Sequence, residues 1–169
     1  MRYAPPPSSN AAWGGVLLVY FSTHGHTATV ARRIAEGLRA EGLVVDLCDV
    51  AHAGDVDPVR HDVVVVGASL HREPDRHEIV AWVTAHRLAL ADRPSALFSV
   101  ALCDNGDGAE SQVALQHGIR DFMAQTGWTP NRAVAFTGAL EDQHDVRGRD
   151  PVERFADELA LLAAVPAAA

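Results

Sequence analysis

Short apolar runs alternate along this chain with longer stretches in which apolar residues recur every three or four positions. The strands predicted from these runs cover residues 16–21, 43–48, 62–68, 95–103 and 132–138, with polar residues at some of their positions. Such runs are typical of strands buried on both faces, whereas the periodic stretches between them predict amphipathic helices. The alternation of the two patterns therefore predicts a parallel β-sheet with helices on both of its faces.

The helical stretches are predicted at residues 27–41, around residues 79–86, at residues 109–126 and from residue 152 onward. Gly42 and Gly127 are predicted to end the first and third helices. Five strands linked in this way fit a doubly wound α/β sandwich of three layers, with strand order 2-1-3-4-5. A chain of 169 residues with 48% hydrophobic composition suits one domain, which we expect over residues 14–164, with flexible tails at residues 1–13 and 165–169.

The charge balance limits the partners that the protein can bind. The formal net charge is -8 and the sequence contains no lysine, which argues against a nucleic-acid partner. No apolar run reaches the roughly 20 residues that a membrane helix needs, and the first residues do not resemble a secretory signal. The two cysteines have no metal-type spacing. We therefore expect a cytoplasmic protein with no integral membrane segment.

Three loops follow predicted strands and are rich in small or polar residues. They cover residues 22–27, 69–74 and 104–108. Because ligands in doubly wound sheets bind beyond the carboxyl ends of the strands, we expect these loops to meet at one edge. That edge is the predicted binding site.

The first loop has the clearest chemistry, since it connects a strand directly to a helix. Gly25 would let the backbone approach a ligand closely, and Ser22, Thr23 and Thr27 offer hydroxyl groups. The N–H groups and the positive end of the helix dipole would point to the same place. The Walker and Gly-x-Gly-x-x-Gly patterns are both absent. The loop therefore predicts a phosphate held by backbone and hydroxyl groups.

The loop from Ser22 to Thr27 resembles the phosphate loop of flavodoxins, which bind flavin mononucleotide (FMN); His24 stands where that family has a threonine. Further segments, at residues 67–72, 94–102 and 127–140, are similar to the menaquinone-dependent protoporphyrinogen IX dehydrogenases. That branch of the superfamily belongs to haem synthesis and has a long insertion before the last helix. The corresponding segment here, residues 141–150, is short and polar.

The resemblance implies a set of residues around FMN. The phosphate would lie at the first loop, and the flavin ring would be bordered by the other two. The implied cofactor-binding residues are Ser22, Thr23, His24, Gly25, His26, Thr27, Ser69, Leu70, His71, Arg72, Leu102, Cys103, Asp104, Asn105 and Gly106. The chemistry would be centred on the flavin, without a separate catalytic acid, base or nucleophile. The implied partner is a redox protein or a small-molecule or quinone acceptor, and a homodimer is an open alternative.

Other interpretations of the same sequence stay open. Within the redox class, the segment matches favour a protoporphyrinogen-dehydrogenase-like enzyme, and the missing insertion favours a soluble electron carrier or quinone reductase. A flavin-free binding or regulatory module is the alternative from another class, because His24 replaces a hydroxyl and no Trp or Tyr lies in the ring-bordering loops. The nine histidines are read as hydrogen-bonding or solvated groups rather than as metal ligands. Trp82 and Trp128 are read as packing residues.

Overall fold

A computed structural model describes residues 15–70, 76–101, 108–137, 148 and 150–164. These residues form five strands and four α-helices, which alternate except that no α-helix lies between the second and third strands. The strands are β1 (Val16–Tyr20), β2 (Val45–Asp49), β3 (Val63–Ala68), β4 (Ser95–Ala101) and β5 (Arg132–Thr137). The helices are α1 (His26–Ala40), α2 (His77–Ala91), α3 (Gly108–Thr126) and α4 (Pro151–Ala164), and two short 3₁₀ helices, Val50–Asp55 and Pro58–Arg60, join β2 to β3.

The five strands form one parallel sheet in the order β2-β1-β3-β4-β5, as the sequence predicts. β1 lies between β2 and β3, so that Tyr20 at its end pairs with Asp49 on one side and Gly67 on the other. The carboxyl ends of these strands are thereby fixed at a common edge. The doubly wound fold is confirmed. The tails predicted at residues 1–13 and 165–169 lie outside the described residues.

The start of β2 differs from the prediction by two residues, for a local reason. Gly42 has a left-handed backbone with φ of 85°, and its N–H donates to the carbonyl of Arg39 at 3.0 Å. The N–H of Leu43 reaches back to the carbonyl of Leu38 at 3.1 Å. These bonds satisfy carbonyls at the end of α1, so Leu43 belongs to the helix stop rather than to the strand.

The core has two layers, one on each face of the sheet. Alternate residues of β1 point to opposite faces, with Val16 and Leu18 in one cluster and Leu17 and Val19 in the other. The first cluster contains the inner faces of α1 and α4, and the second contains those of α2 and α3. The central strands are fully buried because helices cover both of their faces.

Helices α1 and α4 pack closely against each other. A Cβ atom at Gly37 would lie 3.0 Å from the Cβ of Ala156, so the two helices are in close approach there. Nearer the carboxyl edge of the sheet, Arg33 on α1 forms an ion pair with Asp150. Asp150 also caps α4, because its Oδ1 accepts from the N–H groups of Val152 at 2.8 Å and Glu153 at 3.0 Å. The position of α1 is thus tied to the start of α4.

The two tryptophans of the described chain are packing residues. Trp128 is 1% exposed and its indole Nε1–H donates to the hydroxyl of Ser95 at 3.2 Å. Trp82 lies in the core cluster on the α2–α3 face and packs against the ring of His86, with 4.5 Å between ring centroids. Both therefore support the helices rather than the predicted site.

Candidate functional site

The first loop leaves the sheet at a fixed point. The N–H of Phe21, the residue after β1, donates to the carbonyl of Gly67 in β3 at 3.0 Å. The chain then turns through Gly25, which has φ of 86° and precedes the first residue of α1. A left-handed conformation of this kind strongly favours glycine. The Cβ position at Gly25 has nothing within 4 Å, so its surroundings are open space.

Hydrogen bonds within the loop hold it in shape. The Oγ of Ser22 accepts from the N–H of Ala28 at 3.2 Å, across the first turn of α1. The carbonyl of Gly25 accepts from the N–H of Thr29 at 2.9 Å and from its Oγ1 at 3.0 Å. Thr29 is therefore committed to the helix, and the Ser22 hydroxyl keeps its own proton to donate to a ligand.

The loop retains a set of backbone donors for a ligand. Within the described chain, the N–H groups of residues 23–27 form no hydrogen bond, whereas the next N–H of α1, that of Ala28, is paired with Ser22. Unpaired N–H groups at a helix N-terminus, together with the positive end of the dipole, favour an anion. The arrangement therefore fits a phosphate group on a small ligand.

The side chains of the loop differ in exposure. Thr23, His24 and His26 are exposed, Ser22 is half-buried, and Thr27 is 3% exposed on the core side of α1. The loop contains neither Lys nor Arg. Its grip on a phosphate would come from backbone N–H groups and hydroxyls, with the two imidazoles at the rim.

The second loop begins at Ser69, and hydrogen bonds hold the backbone of its next residue, Leu70. The N–H of Leu70 donates to the Oγ of Ser99 at 3.3 Å, and its carbonyl accepts from Arg76 at 3.4 Å. The Leu70 side chain is 2% exposed and belongs to the core. Gly118 on α3 is needed here, because a Cβ atom there would lie 3.0 Å from the Leu70 carbonyl oxygen. Of the predicted site residues in this loop, Leu70 can therefore offer only its backbone.

The remaining predicted residues fall outside the described part of the chain. These are His71 and Arg72 in the second loop and Leu102, Cys103, Asp104, Asn105 and Gly106 in the third. β3 ends beside β1, from which the first loop leaves, since Gly67 pairs with Tyr20, and β4 follows as the next strand, since Ser99 pairs with Ala68. The role of these residues stays a prediction.

The structure adds Ser99, which the sequence analysis did not single out, to the residues that shape this edge. It is fully buried in β4, and its hydroxyl fixes the first residues of the second loop through the N–H of Leu70. The available signal was a polar residue within an otherwise apolar strand. Such a residue must find a partner in the fold.

Two titratable groups lie at the ends of β1 and β2, next to the first loop. Partial burial raises the pKa of the Tyr20 hydroxyl, and the Asp49 carboxylate raises it further. Burial likewise raises the pKa of the Cys48 thiol, with Asp49 and Asp46 adding to the effect. Both groups are thus held in their neutral forms, and Cys48 is not an activated thiolate.

Neither a metal cluster nor a membrane span is found in the described chain. No three His, Cys, Asp or Glu side chains come together as a metal-binding group among the residues at 15–70, 76–101, 108–137 and 150–164. No helix within these same ranges combines the length and apolar character needed to cross a bilayer.

Comparisons with known proteins agree with this geometry. Residues 17–144 match the family model described as a flavodoxin domain. The chain is 30% identical over 125 residues to the protoporphyrinogen IX dehydrogenase [quinone] of Leishmania major, covering 73% of this chain and 54% of that protein. It is 33% identical over 124 residues to an NAD(P)H dehydrogenase (quinone) of Azorhizobium caulinodans, covering 61% of this chain and 58% of that protein. The chain thus spans little more than half the length of these relatives.

A solved structure shows the same fold. A short-chain flavodoxin associated with a PDU bacterial microcompartment superposes with a TM-score of 0.62 at 18% identity, covering 89% of this chain and 99% of the other. Because the flavodoxin model matches residues 17–144, the chain belongs to the flavodoxin family. It is also distantly related to protoporphyrinogen dehydrogenases and quinone reductases.

Proposed function

We propose that this protein binds FMN at the loop from Ser22 to Thr27 and acts as an FMN-dependent oxidoreductase that delivers electrons to a quinone. The observation that carries the proposal is the set of unpaired N–H groups at residues 23–27, held open around Gly25 at the start of α1. We call this set of N–H groups, at residues 23–27, the phosphate cradle. A terminal phosphate is the part of FMN that it would bind.

The residues of the cradle would divide the work of binding. The N–H groups of residues 23–27 would donate to the phosphate oxygens, and the Ser22 hydroxyl would add its proton while its oxygen still accepts from Ala28. Gly25 keeps the cradle clear of side-chain atoms. The ion pair between Arg33 and Asp150 would keep α1, and therefore the cradle, in register with α4.

FMN, when bound, supplies the hydride and electron transfer, so the protein needs no catalytic triad of its own. The backbone at Ser69 and Leu70 is the described part of the second loop that would border the ring. Hydrogen bonds from Leu70 to Ser99 and from Arg76 to Leu70 fix this backbone, which would therefore help to orient the flavin ring.

The proposed substrate class follows from the relatives. Both carry quinone in their names, and one is named for protoporphyrinogen IX. We therefore propose a protoporphyrinogen-dehydrogenase-like reaction in haem biosynthesis, in the cytoplasm, with quinone as acceptor. A soluble quinone reductase or flavodoxin-type carrier is the second candidate, because residues 141–150 are short and polar where the dehydrogenase branch has its insertion.

The first experiment tests the cofactor. Purified protein is titrated into FMN and the quenching of flavin fluorescence is followed, with riboflavin, which lacks the phosphate, as the matched ligand. We expect FMN to bind and riboflavin to bind much more weakly. If FMN does not bind even at high protein concentration, the chain is a flavin-free module and the proposal fails.

The second experiment tests the reaction. FMN-loaded protein is photoreduced without oxygen and mixed with a soluble menaquinone analogue, and the return of flavin absorbance is timed. The oxidised protein is separately mixed with protoporphyrinogen IX and followed by porphyrin fluorescence. Reaction with both supports the dehydrogenase, whereas reaction with the quinone alone supports the reductase or carrier.

A further inference from the structure

Two exposed histidines of the phosphate loop have no partner in the part of the chain that the structure describes. His24 and His26 flank Gly25, and both side chains are exposed. Within the described ranges, neither ring takes part in a hydrogen bond, an ion pair or a ring contact. A neutral imidazole has one N–H donor and a charged one has a donor on each nitrogen. Both rings are therefore available to donate to a ligand at this loop.

The two rings belong to the same residues whose backbone would bind the phosphate. The N–H groups of His24 and His26 are members of the phosphate cradle. Each side chain leaves the backbone one bond from its own N–H, so its ring can contact oxygens of the same phosphate group. Thr27 is only 3% exposed, whereas both histidines are exposed. The imidazoles therefore lie on the solvent side of the cradle.

Other side chains of the loop and of α1 are poorly placed to meet the charge of a phosphate. The loop contains neither lysine nor arginine. Arg33 on α1 is committed to its ion pair with Asp150. Arg32 lies further along the same helix, about 9 Å beyond His26 at the usual helical rise. The imidazoles are thus the ionisable groups closest to the cradle along the chain, and hydrogen bonds to a charged phosphate are strong.

A terminal phosphate differs from an internal one in the oxygen that faces outward. The phosphate monoester of FMN has three terminal oxygens, and all of them can accept hydrogen bonds. In flavin adenine dinucleotide (FAD), one of these oxygens is replaced by the link to the adenylate. The N–H groups of the cradle would take the inward-facing oxygens. A donor on the solvent side then meets a free oxygen in FMN but the adenylate link in FAD.

We propose that His24 and His26 make this site selective for a terminal phosphate monoester, because their imidazole N–H groups donate to its outward-facing oxygen. The inference rests on the proposed binding of FMN and adds to it the residues that determine specificity. The adenylate link of FAD occupies the position of that oxygen, so FAD gains nothing from the two rings.

The test compares three flavins on the full chain. FMN, FAD and riboflavin are titrated against the flavin-free protein by isothermal titration calorimetry, and the quantity of interest is the ratio of FMN affinity to FAD affinity. The double variant His24→Ala/His26→Ala should bind FMN about tenfold more weakly than the parent protein. Its affinities for FAD and riboflavin should change little, so that the ratio falls.

The outcomes separate this inference from the proposed function. If the parent protein binds no FMN, both fail. If the parent binds FMN and the double variant keeps the parent's ratio of FMN to FAD affinity, only the selectivity proposal fails. The single variants His24→Ala and His26→Ala report on each ring separately, including the case in which the double variant does not fold.

Matched variants show whether the side-chain donors are the cause. His24→Gln/His26→Gln keeps an N–H donor at each position and should retain most of the parent's ratio. His117→Ala, at an exposed histidine within α3, should leave all three affinities unchanged. Equal losses in the glutamine and alanine variants would overturn the proposal. So would a loss of selectivity in Thr23→Ala as large as that in the alanine double variant, because it would assign the contact to the other exposed side chain.

Phosphorus NMR of bound FMN gives a readout that does not depend on affinity. The phosphate resonance should shift between the parent protein and His24→Ala/His26→Ala, because the donors to one oxygen are removed. It should stay in place in His117→Ala. An unchanged resonance in the double variant would mean that the rings do not contact the phosphate and would overturn the proposal.

Discussion

The ring of Phe98 occupies the space in which a side chain at Gly67 would lie. A Cβ atom built on Gly67 would be 2.1 Å from Cζ of Phe98, whose side chain is fully buried. Gly67 also accepts the hydrogen bond from Phe21 that fixes the start of the phosphate loop. The packing of one core ring is therefore linked to the geometry of the site.

Gly67→Ala should destabilise the protein, because the buried ring cannot move aside freely. We expect a loss of about 1–3 kcal/mol in the free energy of unfolding, measured by urea denaturation. Gly54→Ala is the control, since the Cβ position there has nothing within 4 Å. The double variant Gly67→Ala/Phe98→Leu should lose less free energy of unfolding than the sum of the two single variants, because the smaller side chain removes the clash. If the two losses simply add, the clash is not their cause.

Asp150 should make stability depend on pH in the acidic range. Burial raises the pKa of its carboxyl, but hydrogen bonds from Glu153 and Val152 and the charge of Arg33 outweigh that effect and hold the pKa below its usual 3.8. A lowered folded-state pKa means that the stabilisation is complete above the unfolded-state pKa. It is lost as pH falls through the folded value.

Asp150→Asn should therefore cost about 1–2 kcal/mol at neutral pH, since asparagine keeps the helix cap but loses the charge that pairs with Arg33. The difference from the parent protein should shrink as pH falls below about 4. Denaturation at a series of pH values measures it. Glu158→Gln, in the exposed pair with Arg132, should show a much smaller difference, and a gap that persists at low pH would contradict the assignment.

The fold could be predicted from the sequence because its signals are local and repeated. The continuous apolar run from Val63 to Val66 favours a buried strand, and the amphipathic stretches favour crossover helices. Five strands fit the doubly wound order 2-1-3-4-5, which the structure has. The helix ends at Gly42 and Gly127 could also be predicted locally, and both glycines have the left-handed backbone that ends a helix.

The site could be predicted only in part, because its details depend on contacts distant in sequence. The phosphate loop is continuous in the chain, so its glycine and hydroxyls were visible. The hydroxyl of Ser99 holding the N–H of Leu70, 29 residues apart, had no sequence signal beyond a polar residue in a strand. The pairing of Arg33 with Asp150 spans 117 residues and likewise depends on how α1 meets α4.

The hydroxyls of the phosphate loop should differ in their effect on FMN binding. Ser22→Ala removes the oxygen that accepts from the N–H of Ala28, together with a hydroxyl proton available to the ligand. It should therefore reduce the binding free energy of FMN by about 1.5–3 kcal/mol. Thr29→Ala should change FMN affinity little, since its hydroxyl is committed to the carbonyl of Gly25. Fluorescence titration measures both variants. Equal losses for the two would mean that the phosphate lies elsewhere.

Gly25 and Gly42 offer a matched test of the phosphate loop, since they flank the same helix and both have a positive φ. Their φ angles are 86° and 85°, and neither Cβ position has a neighbour within 4 Å. Alanine at either position should therefore destabilise the protein to a similar extent, by about 1–2 kcal/mol, because the left-handed conformation is strained for any residue with a Cβ. Only Gly25→Ala should also weaken FMN binding. Only at that position would the added methyl group lie where the backbone approaches the phosphate. Thermal unfolding gives the first comparison and FMN titration the second, and equal FMN affinity in the two variants would remove the cradle from the proposed site.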